Sequence, residues 1–129
     1  LKDAFIAGDT VKINSASIQV QAGADSLNVN EIQGDSTGMI KETARSFAIT
    51  ISSSAVAIGA EKDLEAGRKE LNVITDALWS LTRTVEYAGQ KIYYHYCPMA
   101  FNNQGAYCIL LFGRSDPHFI LRITCFYNH

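Results

Sequence analysis

Hydrophobic residues recur at three- and four-residue spacing through three long stretches of this chain, and the pattern stops abruptly at Gln90. A repeat of that period lies along one face of a helix, and such a face is stable only when packed against another. The first seam is Ile13, Ala16, Val20, Ala24 and Leu27, with Asp9 or Thr10 after Gly8 as its N-cap. A short helix from Leu1 to Ala7 precedes it. The second seam runs through Ile40, Ala44, Phe47, Ile51, Ala55 and Ile58 and is entered through Asp35, Ser36 and Thr37, whose oxygens can accept from first-turn N–H groups. The third is Leu64, Leu71, Ile74, Leu78, Leu81 and Val85, with Asp63 as cap, Trp79 flanking the seam and Tyr87, Ala88 and Gly89 ending it. Connections at 28–36 and 60–63 are short enough to make neighbouring helices antiparallel. Small residues at Ser52, Ser53 and Ser54, inside the second pattern, mark close helix approach.

Beyond Gln90 aromatic and β-branched residues dominate, and the polar stretch Asn102, Asn103, Gln104 and Gly105 separates two apolar runs, the pattern of a β-hairpin. The predicted fold is mainly α: an antiparallel up-and-down bundle of three to four helices with a small C-terminal β-hairpin. A single domain over 1–129 is expected, with the bundle at 1–89, the hairpin at 90–112 and an atypical tail at 113–129. A chain of 129 residues can bury an adequate core without a disulfide or a metal.

The composition excludes several classes. A hydrophobic fraction of 47% argues against disorder, and a net charge of −2 gives no electrostatic footprint for nucleic acid. No apolar run reaches the ~20 residues of a membrane-spanning helix, and the first residues lack a signal peptide's pattern. The chain opens without methionine inside a helical pattern, so an upstream extension is expected. Phosphate loops, the Gly-x-Ser-x-Gly elbow and His-Glu-x-x-His are missing, and the acidic residues are scattered, so no catalytic residue and no organic cofactor is expected.

The chemically able stretch is Tyr93-Tyr94-His95-Tyr96-Cys97-Pro98-Met99. On an extended strand His95 and Cys97 share a face, and Met99 joins them unless Pro98 turns the chain. Imidazole, thiol and thioether form a soft donor set: thiolate and thioether favour Cu(I) and similar thiophilic ions such as Ag(I), while an imidazole also suits Zn or Cu(II). The competing reading makes Cys97 a small buried hydrophobe, Met99 a core filler and His95 an exposed strand residue. A Cys97–His95 catalytic dyad is the least supported reading, because sequence supplies no meeting of the two tips. His118 and His129 read as solvated. Three cysteines, Cys97, Cys108 and Cys125, cannot all pair within one molecule, and a hairpin can bring Cys97 near Cys108.

The segments Leu1 to Asp9, Ile58 to Lys69, and Tyr93 to Phe101 with Gly105-Ala106-Tyr107 resemble one bacterial helical domain family of unknown function. That family occurs alone in small exported proteins and at the C-terminus of periplasmic adaptor (membrane fusion) subunits of heavy-metal efflux pumps of the resistance-nodulation-division class. The resemblance spans about residues 1–107 and implies a periplasmic location, adaptor or pump components as partners, and a role in handling soft metal ions. Cys97 and Met99 match its Cys-Pro-Met signature, whereas His95 rests on strand alternation alone. After Tyr107 the chain departs from the family pattern. A frameshift is one explanation; it would make Cys108 and Cys125 accidental and remove the family's distal cysteine.

Two functions are therefore carried forward. One is a non-enzymatic periplasmic domain that captures a soft ion and hands it over. The other is a structural or protein-interaction bundle in which the Cys-Pro-Met run is only hairpin core.

Overall fold

The computed structural model describes residues 1–89 and 91–111, with the side chains of Lys2, Cys108, Leu110 and Leu111 outside the description. Four helices form the bundle: α1 (Lys2–Ala7), α2 (Thr10–Asp25), α3 (Met39–Ala60) and α4 (Leu64–Thr84). A 3-10 turn at Val29–Glu31 lies between α2 and α3. Strands β1 (Ile92–Cys97) and β2 (Ala106–Leu111) then form an antiparallel pair, joined through the one-turn element α5 (Ala100–Asn103). The mainly helical bundle with its hairpin agrees with the expected fold. The expected tail at 113–129, with Cys125, His118 and His129, lies outside the described residues.

The helix starts follow from the residues that cap them. Asp9 accepts from the backbone N–H groups of Val11 and Lys12, and Asp63 from those of Glu65 and Ala66, so each satisfies donors that a first turn leaves free. At α3 the carboxylate of Asp35 reaches the N–H of Lys41 at 2.9 Å, while Gly38 occupies the cap position at φ 76. That φ is open to glycine at little cost.

The seams meet in one core. Ala44, Ile51, Ala55 and Ile58 of α3 face Leu71, Ile74, Ala77 and Leu81 of α4 in a single cluster, with Ile13 of α2 completing it. Ser17 and Ser54 are buried, and an added Cβ at Gly59 would meet the Ser17 hydroxyl at 3.6 Å, so α2 and α3 approach closely where small residues allow it. Ser52 fastens the same pair by donating to Asp25 at 2.6 Å. Two outcomes differ from the simple seams. Leu27 stays 42% exposed beyond the end of α2, and Phe5, in the short α1, is the largest fully buried side chain among the described residues. Phe5 can sit that deep because Gly67 has no side chain: a Cβ there would stand 3.1 Å from the ring.

The hairpin docks on α4 through aromatic faces. Tyr94 stacks on Trp79 at 4.8 Å between centroids and on Tyr107 at 4.2 Å, both within 5° of parallel. Its hydroxyl donates to Asp76 at 2.6 Å. Stacked rings contribute about 0.5–1.5 kcal/mol per pair beyond their burial. A two-stranded hairpin is marginal alone, so this contact with α4, together with Cys97, Ala100 and Ala106 in the shared core, fixes it on the bundle.

Candidate functional site

The strand register decides which donors share a face. Tyr94 pairs with Ile109 and Tyr96 with Tyr107, whereas His95 pairs with Cys108 and Cys97 with Ala106. Because successive residues point to opposite faces, Tyr94 and Tyr96 belong to one side of the ribbon and Tyr93, His95 and Cys97 to the other. His95 and Cys97 therefore stand next to each other on one face, as alternation requires. Cys97 itself is not opposite Cys108, which stands across from His95 in the register.

Met99 is separated from the pair. Pro98 and Met99 form the turn that ends β1, and the Met99 side chain is 55% exposed. Pro98 cannot donate to the ladder and starts this turn, so the alternation ends one residue before the thioether. Met99 is accordingly neither a third donor aligned on the strand face nor a core filler.

Cys97 is only 2% exposed, within a cluster that includes Ala100 and Ala106. His95 is half-buried. Its ring lies nearly parallel to Tyr93 at 6.1 Å between centroids, and the Lys91 ammonium sits 5.0 Å from the far-reaching Tyr93 ring. The His95 Nε2 atom is buried and makes no hydrogen bond to any described residue. A buried imidazole nitrogen without a partner forfeits roughly 1–3 kcal/mol unless something else satisfies it.

Behind the site the backbone is strained. Phe101 and Asn102 lie in the left-handed region at φ 50 and 56, and Asn103 follows at φ 67. Asparagine tolerates that region, but each ordinary L-residue there costs roughly 1–2 kcal/mol. Gly105 completes the reversal at φ 81 with the Tyr96 ring laid over it, leaving no room for a Cβ.

Sequence reasoning missed two features. The Trp79–Tyr94–Tyr107 stack was signalled only by Trp79 flanking its seam and by the tyrosines of the hairpin strands. Arg68 and Asn72, one turn apart on α4, bury Nε and Oδ1 without hydrogen bonds among the described residues. Burial holds the Arg68 guanidinium below its ordinary value, opposed by the charge of Glu65. A buried arginine in a helix seam leaves no mark on hydrophobic periodicity.

No family model, curated protein or solved structure matches the chain. Among the described residues no group of three or more His, Cys, Asp and Glu side chains converges to hold a metal, and no helix is long and apolar enough to cross a membrane. Of the expected donors, His95 and Cys97 share one strand face. One nitrogen and one sulfur suit a soft monovalent ion better than Zn, which takes four ligands.

Proposed function

We propose that this is a non-enzymatic domain of a periplasmic heavy-metal efflux or metal-handling system, whose hairpin takes up Cu(I) or Ag(I) as cargo on His95 and Cys97. The observation that carries the reading is the buried His95 Nε2, without a hydrogen bond among the described residues, on the same strand face as Cys97. An ion held by two protein donors keeps an incomplete shell, and an incomplete shell permits handover to an adaptor or pump component. Met99, exposed in the turn that ends β1, is suited to first contact from solvent. The periplasmic setting and the pump partner rest on the family resemblance.

Competition between the reduced protein and a Cu(I) chelator tests this, in a Cys108→Ser/Cys125→Ser background that removes the other thiols. His95→Gln and Cys97→Ala are each expected to weaken Cu(I) binding by more than about tenfold, some 1.4 kcal/mol. Met99→Leu should slow uptake and leave the equilibrium nearly unchanged. Equal affinity in all four proteins, each folded by circular dichroism, would refute the reading.

One observation favours the interaction-bundle alternative. Val11 and Ile18 on α2, and Ile49 and Val56 on α3, are at least half exposed and stand seven residues apart within each pair. Seven residues is about two helical turns, so each pair lies along one face that a partner helix can cover. Under that alternative Cu(I) binding is weak and indifferent to the hairpin substitutions.

A further inference from the structure

We infer that the bundle carries a second binding site, independent of the hairpin: an apolar cavity that takes a single hydrocarbon chain with an uncharged head. Among the described residues the cavity measures about 340 Å³ and lies between α2, α3 and α4, with Leu1 and, from β2, Ile109 also on its walls. Small residues leave room there: Gly23 and Ala24 of α2 and Ala48 of α3 line it among larger Leu, Ile and Val side chains. An added Cβ at Gly23 meets nothing within 4 Å, so the space at that point is open.

The lining chemistry selects the ligand. Thr75 carries its one side-chain hydroxyl, and that group donates to the Leu71 carbonyl at 3.0 Å within its own helix. A buried water needs two to four polar partners, which these walls do not supply. A dry apolar cavity of about 150 Å³ suffices to bind benzene in an engineered protein, and small-molecule pockets begin near 300 Å³. The volume therefore admits a chain longer than a single ring.

The mouth selects the head. Gly23 is exposed and Leu27 is 42% exposed, so the cavity opens at the C-terminal end of α2. That end carries Asp25 and no basic residue in its last turn, and a helix C-terminus is the negative end of the helix dipole. Carboxylate and phosphate monoester heads are disfavoured there. A free fatty alcohol and the acyl chain of a neutral lipid share the chemistry that remains.

The test uses the full chain and a fluorescent apolar probe, N-phenyl-1-naphthylamine, displaced by 1-dodecanol, by laurate, or by monolaurin as the acyl source. One-to-one probe uptake is expected, with dodecanol or monolaurin displacing it at least about tenfold more tightly than laurate. Gly23→Leu, which adds a side chain to open space at the mouth, should abolish uptake while leaving the fold intact. Ala24→Leu fills the cavity from the same helix and should do likewise. Absence of uptake, or uptake unaffected by both substitutions, overturns the site; laurate binding as tightly as dodecanol overturns the uncharged head.

Discussion

Tyr94 holds the hairpin on the bundle in two separable ways. Tyr94→Phe removes only the hydroxyl that donates to Asp76 at 2.6 Å and keeps both ring contacts. A hydrogen bond to a charged group contributes about 1.5–3 kcal/mol, but Asp76 is exposed and regains water, so the expected loss is about 1 kcal/mol. Tyr94→Ala also removes the stacks on Trp79 and Tyr107, and the expected loss rises to about 3 kcal/mol. Urea unfolding followed by circular dichroism measures both, and an Asp76→Asn cycle isolates the hydroxyl bond. The bond also has a pH signature. Burial of the phenol, then its bond to Asp76 and the charge of that carboxylate, push the Tyr94 pKa above the ordinary value of 10.0. A group raised in the folded state contributes stability that is fully present below its unfolded value and is lost as pH climbs above it. Stability of the native chain should therefore fall more steeply above pH 10 than that of Tyr94→Phe. Equal alkaline slopes, together with a Tyr94→Ala loss no larger than that of Tyr94→Phe, would refute the docking argument.

Gly67→Ala should destabilise the fold even though alanine favours helix by roughly 0.5–1 kcal/mol, because its methyl would press on the Phe5 ring at 3.1 Å; pairing it with Phe5→Leu should recover part of the loss in thermal melts. Asp9→Ala should lower the thermal midpoint by uncapping α2. The N–H of Lys12 holds the Asp9 carboxyl below its ordinary 3.8, so this contribution is present above pH 3.8 and disappears as pH falls through the folded value; the Asp9→Ala midpoint should converge on that of the native chain in acid.

The bundle was legible because three seams of apolar residues at helical spacing leave few alternatives, and Asp9 and Asp63 mark two of its starts. The hairpin was legible from composition, since Asn102, Asn103 and Gly105 suit a left-handed reversal. Phe101 was not, because its place there is imposed by the turn and opposed by its own preference. Phe5 was hidden for another reason: its burial depends on a glycine 62 positions away, at Gly67, and local periodicity carries no such pairing. At the candidate site, strand alternation gave the shared face of His95 and Cys97, and Pro98 gave the condition under which Met99 would leave it. That His95 Nε2 is buried without a hydrogen bond among the described residues depends on what packs around the ring, which no local pattern encodes.

Copper K-edge X-ray absorption on the Cys108→Ser/Cys125→Ser protein loaded with one equivalent of Cu(I) tests the central claim most directly. One nitrogen and one sulfur scatterer are predicted, with the nitrogen lost in His95→Gln and the thiolate sulfur lost in Cys97→Ala. A sulfur-only shell, or a shell unchanged by both substitutions, would contradict it.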